Sequence, residues 1–149
     1  MRAFAVFSLV LLGTFIIDQN IKSLFIEGYY RAGACIDLEL HYNKGVAFSM
    51  LSFLGLYLKW IQALLVVVIL FFVFKEGYIK RYAFPVGLLV GGAMGNVYDR
   101  FVHGGVVDYV AWHCGFNFAV FNFADVAIDL AVVWLLVMIY FFPQKSESK

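Results

Sequence analysis

The chain has 149 residues, of which 64% are hydrophobic, 19% aromatic and 14% charged, with a formal charge of +1 and a mean hydropathy of +0.88. Soluble domains hold about half apolar and about a quarter charged residues, so a water-soluble fold of this size could not hide so much apolar surface. Disorder is excluded by the same composition, and the small net charge offers no basic field for nucleic acid. The chain reads as one integral membrane domain over residues 1–149.

A helix that crosses a bilayer needs roughly 20 mostly apolar residues. The first such stretch is 3–22, whose uninterrupted apolar part ends at Ile17. Arg2 and the apolar run imitate a secretory signal, but bulky Phe15, Ile16 and Ile17 precede Asp18 where small residues would be needed for cleavage. The stretch is therefore read as a retained helix, with Asp18 near the outer edge of the hydrocarbon and Lys22 reaching to the headgroups. Asp18 and Lys22 are four apart with the acid first, the favourable helical order for a pair. Residues 23–52 follow, in which apolar and polar residues alternate from Ile36 to Tyr42 and predict a short strand. The second span is placed at 55–74 and the third at 82–99. The third carries Gly87, Gly91 and Gly95 at four-residue intervals with Gly92 beside them, a groove that admits another helix or a ligand. Residues 106–121 are aromatic-rich and partly alternating, and 122–142 form the fourth span, stopped by Pro143 and a polar tail. The expected architecture is a membrane all-α fold of four transmembrane helices with a small extracytoplasmic β-sheet or cradle.

Basic residues orient it. Arg2, Lys75, Lys80, Arg81, Lys145 and Lys149 flank one face with only Glu76 and Glu147, while the remaining five basic residues face eight acids. The basic face is cytoplasmic. Both termini and the 75–82 turn lie there, and segments 23–52 and 101–121 lie outside.

Ionisable groups in or beside a bilayer are costly, and each is a functional candidate. Asp99-Arg100 closes the third span, Asp108 follows, and Asp125 lies in the first turn of the fourth. Two carboxylates in a partly desolvated site do not ionise together easily, so one holds a proton while the other acts as base. That asymmetry suits an aspartic peptidase. It is equally what a solvated Asp108 and a helix-capping Asp125 would look like. Cys35 and Cys114 share no CxxC spacing, and His41, His103 and His113 form no ligand pair, so no metal and no cofactor are expected. A disulfide between the two cysteines is open on the oxidising side.

The segments around these acids form five blocks: Asp18-Gln19-Asn20-Ile21-Lys22, Asn43-Lys44-Gly45-Val46-Ala47-Phe48-Ser49, Gly91 through Arg100, Val106-Val107-Asp108, and Phe121-Asn122-Phe123-Ala124-Asp125. In order and spacing they resemble the signature blocks of bacterial lipoprotein signal peptidase (signal peptidase II), approximately DQxxK, NxGxAFS, GGAxGNxxDR, VxD and FNxAD. The resemblance implies that Asp108 and Asp125 are the catalytic dyad, with Asp18, Lys22, Asn43, Gly45, Asn96, Asp99, Arg100, Asn122 and Ala124 lining or supporting the site. It implies cleavage of diacylglyceryl-modified prolipoproteins just before the lipid-modified cysteine, without metal or cofactor, in the bacterial cytoplasmic (inner) membrane. The expected partners are those substrates and membrane lipids, with no nucleic acid, and the chain is expected to be a monomer.

The supports have physical roles open to them. The asparagines can donate to a carboxylate or a substrate backbone, and Gly45 can permit a turn or a close approach. Arg100 can pair with Asp99 or with a lipid phosphate. Asp129, one turn beyond Asp125, belongs to no block; it is expected to be protonated and hydrogen-bonded, the other reading being that it tunes the dyad. Two other readings use the same acids: a four-span proton relay, which would place them at the midplane in broken helices, and a lipid-binding scaffold in which Asp108 is dispensable.

Overall fold

A computed structural model of the protein describes residues 1–45, 54–55 and 57–143. Its elements in chain order are α1 (Arg2–Ile26), β1 (Ile36–Asn43), α2 (Tyr57–Lys75), α3 (Ile79–Val102), β2 (Val106–Trp112) and α4 (Phe123–Phe141). The expected cradle around Asn43–Phe48 extends past Gly45, and that part lies outside the described residues, as do Lys145 and Lys149 of the charge count.

Three helices, α1, α2 and α4, are long and apolar enough to cross a membrane, with mean hydropathies of 1.7, 2.3 and 2.1. The fourth expected span, α3, has 24 residues but not the apolar content, because Asn96, Asp99, Arg100 and three glycines occupy its second half. The reason lies in the packing. α3 is the central helix, burying Val86, Gly87, Val90, Gly91, Gly92, Gly95, Asp99 and Arg100. α2 buries only Leu58 and Val73 and turns outward a row that includes Leu64, Val67, Phe71 and Phe72. α3 is kinked at Tyr82 (φ −111°, ψ 22°), three residues before Pro85, whose ring and missing N–H disrupt the turn that precedes it.

The glycine groove is a helix contact. A Cβ on Gly91 would lie 2.7 Å from the Leu11 carbonyl oxygen of α1, and one on Gly92 would lie 2.7 Å from the Ala124 carbonyl oxygen of α4. Glycine on adjacent faces of α3 therefore lets two backbones approach at once.

β1 and β2 form a two-stranded antiparallel sheet, with Ile36 opposite Trp112 and Asn43 opposite Val106. The strand read from Ile36–Tyr42 is thus present with one more residue. A disulfide joins Cys35, just before β1, to Cys114, just after β2, which settles the pairing that spacing had left open. The register matters for the site. Asn43 at the end of β1 stands diagonally across from Asp108, within side-chain reach.

Candidate active site

Helix α4 begins with four backbone N–H groups that have no intrahelical acceptor. Each finds a partner: Phe123 N donates to the Tyr109 hydroxyl (2.9 Å), Ala124 N to Asp18 Oδ1 (3.1 Å), Asp125 N to Asn122 Oδ1 (2.9 Å) and Asn122 N to the Asp125 carboxyl. Asp125 returns the bond, its Oδ2 accepting from Asn122 N (3.1 Å) in a reciprocal capping box. The helix start therefore fixes where the Asp125 carboxyl points, and α1 and β2 both help to fix it.

Asn122 also reaches the second acid. Its Nδ2 donates to Asp108 Oδ1 at 2.7 Å, while Asn43 Nδ2 donates to Asp108 Oδ2 at 3.0 Å. Asn96 Nδ2 donates to Asp125 Oδ1 at 2.8 Å. One fully buried residue, Asn122, is thus bonded to both carboxyls. Asp108 and Asp125 line one cavity of about 340 Å³ together with Asn43, Asn96 and Arg100. Asp108 is 2% exposed, and burial together with the charge of Asp125 pushes its carboxyl up to about 6, against the lowering effect of its two asparagine donors. Burial likewise raises the Tyr109 phenol to about 12, so it stays protonated.

Beneath this lies a charged core. Lys22, 1% exposed, spends its three donors on Asp18 Oδ2 (2.8 Å), Asp99 Oδ2 (2.7 Å) and Asn96 Oδ1 (2.9 Å). Gln19 Nε2 donates to Asp18 Oδ2 (3.1 Å) and Asp99 Oδ1 (3.0 Å), and Val107 N donates to Asp99 Oδ2 (3.1 Å). Gly95 makes room for this, since a Cβ there would collide with the Asp18 carboxyl. The network ties α1, α3, α4 and the start of β2 into one frame that holds Asn96, and through it Asp125.

Every residue expected at the site is in or next to this arrangement, with several expected roles corrected. Lys22 does not reach to headgroups: α1 continues to Ile26, so the ammonium faces α3 rather than an interface. Arg100 does not pair with Asp99, whose oxygens are taken by Lys22, Gln19 and Val107. Its Nη2 donates to the Gly45 carbonyl and its Nη1 to that of Asn43 (3.5 Å), fastening the end of β1 to α3. Gly45 N in turn donates to Asn43 Oδ1 (3.0 Å), which orients the asparagine. Ala124 contributes its backbone N–H to Asp18 and is fully buried. Asp129 is exposed and lines the cavity, and the expected hydrogen bond is not made to any of the described residues.

Gln19, Tyr109 and Gln62 were not among the expected site residues. Gln19 stood inside the first block and Tyr109 next to Asp108. Gln62 had a visible signal, as the only polar residue between Lys59 and Lys75 in an otherwise apolar helix.

Comparison with known proteins agrees with the geometry. The family described as signal peptidase (SPase) II matches residues 10–141. A lipoprotein signal peptidase of Sulfurovum sp. (strain NBC37-1) is 75% identical over 146 residues, covering 98% of this chain and 100% of that one. The lipoprotein signal peptidase of Sulfurimonas denitrificans is 58% identical over 92% of this chain and 89% of its own, and that of Helicobacter pylori (strain P12) is 48% identical over 94% and 92%. Two solved structures of bacterial membrane enzymes share the fold. One has a TM-score of 0.80 at 22% identity over 97% of this chain and 94% of its own, the other 0.77 at 24% over 91% and 93%. The chain belongs to the signal peptidase II family of peptidases.

Proposed function

We propose that the protein is a membrane-embedded aspartic endopeptidase that removes signal peptides from diacylglyceryl-modified prolipoproteins, cutting on the N-terminal side of the lipid-modified cysteine, with Asp108 and Asp125 as its dyad. The observation that carries this is the buried Asn122, bonded to both of the carboxyls that line one cavity. A structural cap needs the bond to Asp125 alone. The further donation to Asp108 keeps two acids side by side that would otherwise repel.

The dyad works with one proton between its two carboxyls. The ionised carboxyl takes a proton from a water molecule as its oxygen attacks the scissile carbonyl carbon. The protonated one gives its proton to the carbonyl oxygen, and a tetrahedral diol forms. On collapse the C–N bond breaks, the leaving nitrogen receives a proton, and the signal peptide departs with a new carboxyl terminus. Asn43, Asn96 and Asn122 hold the carboxyls through this cycle, and Asp18, Lys22, Asp99, Arg100, Gly45 and Ala124 hold the asparagines and the helix start. The residues need no metal or cofactor for these steps.

The chain works as one membrane domain and as a monomer, in the bacterial cytoplasmic membrane. All four helices cross. At roughly 1.5 Å per residue, the 24 residues of α3 suffice for a crossing, and its polar outer half is sheltered by α1 and α4. Both termini are cytoplasmic, and the dyad lies near the outer face where α3 ends and α4 begins. The substrate's acyl chains then rest in the bilayer beside the helices and set the height of the scissile bond, each buried methylene adding about 0.8 kcal/mol of anchoring. One purified precursor, assayed with and without its diacylglyceryl group in the same bilayer, tests this reading. The lipidated form is expected to be cut and the other not, and equal cleavage of both would replace the lipoprotein assignment by a general membrane peptidase.

A further inference from the structure

Two buried polar atoms on the cavity wall have no partner among the described residues: Nε of Arg100, a donor, and Oε1 of Gln62, an acceptor. Arg100 is 7% exposed, and while each of its terminal nitrogens donates to a backbone carbonyl, of Asn43 and of Gly45, its buried Nε–H has no acceptor among the described residues. Gln62 lies in the second turn of α2, in a helix that otherwise shows lipid an apolar face. Water that could satisfy such groups is scarce at membrane depth, and unmet polar atoms there are costly. A donor and an acceptor left over on one cavity wall match the two polar groups of an extended peptide backbone.

Gln62 also stands at a junction. Beside the polar cavity lies a second, mostly apolar pocket of about 210 Å³ between α2, α3 and α4, lined by Leu65, Val66, Leu89 and Ile128. Gln62, Asn96 and Ile128 border both. In the proposed orientation the signal peptide rises from the cytoplasmic side, so the residues before the cut lie deeper than the dyad. Gln62 borders the apolar pocket as well as the polar cavity, whereas Asp125 borders the polar cavity alone.

Building on the peptidase reading above, we propose that Gln62 is a substrate-binding residue whose Oε1 accepts a hydrogen bond from one main-chain N–H of the signal peptide, N-terminal to the scissile bond, while the adjoining apolar pocket receives a side chain of the same segment. Arg100 Nε donates to a main-chain carbonyl of the substrate. The two contacts set the register in which the scissile bond meets Asp108 and Asp125.

The test uses the full-length protein in bilayers and a lipidated precursor peptide, with each main-chain amide before the cut replaced in turn by an ester, which removes the N–H alone. In the wild type, one ester position is expected to lower kcat/KM by about 10- to 100-fold, the factor for one buried hydrogen bond left half-made. Gln62→Leu is expected to lower kcat/KM on the all-amide peptide similarly, and then to be indifferent to the ester at that position. A wild type insensitive to every ester overturns the proposal without recourse to any variant. So does an ester penalty that is the same in Gln62→Leu as in the wild type. Failure of the wild type to cut the all-amide lipidated peptide strikes the peptidase reading instead.

Discussion

Lys22 is the residue on which the frame of the site depends most. Replacing it by methionine keeps the length of the side chain and removes three donated bonds, all at 2.7–2.9 Å, to Asp18, Asp99 and Asn96. Asp18 and Asp99 are both fully buried, so the substitution leaves two carboxylates without their cation. Breaking a buried ion pair by removing one partner costs about 3–5 kcal/mol, because the desolvated charge stays behind. Gln19, Ala124 N and Val107 N still donate to the acids, which places the expected loss near the lower figure. For a chain of this size roughly 2–4 °C of Tm accompanies each kcal/mol, so a thermal scan of the purified protein should show a drop of about 6–12 °C. Asp99→Asn combined with Lys22→Met should recover part of that drop, since it removes one uncompensated charge. A Tm within about 2 °C of wild type for Lys22→Met would refute the claim that Lys22 neutralises a buried acidic core.

The remaining expectations are briefer. With the Asp108 carboxyl raised to about 6, the dyad loses its shared proton as pH rises through that value. Above it kcat/KM should fall about tenfold per pH unit, and a profile flat from pH 5 to 9 would contradict a one-proton dyad. Reporters fused after Lys80 or Lys149 should read as cytoplasmic, and one inserted near Ala34 as external. An external signal at Lys80 would overturn the four-span reading.

Much of this fold is legible from periodicity. The alternation from Ile36 to Tyr42 marks β1, and the apolar runs mark the helices, because both signals are set by which face each residue must bury. The apolar criterion fails for α3 since a helix surrounded by protein need not be apolar where its neighbours supply polar partners. The misreading of Lys22 has a related cause. From sequence it stands past the end of an apolar run, and only the missing Cβ of Gly95 and the continuation of α1 to Ile26 turn it inward. Arg100 could not be paired from sequence because its acceptors are backbone carbonyls, which carry no residue signature. The cysteine pairing depended on strand register, which is decided across the sheet between residues far apart in the chain. The five blocks named the acids, but the part played by Asn122, one residue holding two carboxyls, emerges only when the start of α4 meets β2.

The central claim is that Asp108 and Asp125 form one acid–base pair. Its most direct test is cleavage of a diacylglyceryl-modified precursor by Asp108→Asn, Asp125→Asn and Asp129→Asn, each first shown to be folded in the membrane. The first two should each lose activity by orders of magnitude, since either removes an indispensable half of the pair. Asp129→Asn should retain clear activity, since Asp129 makes no hydrogen bond to the dyad among the described residues. Substantial cleavage by either Asp108→Asn or Asp125→Asn would contradict the two-aspartate mechanism.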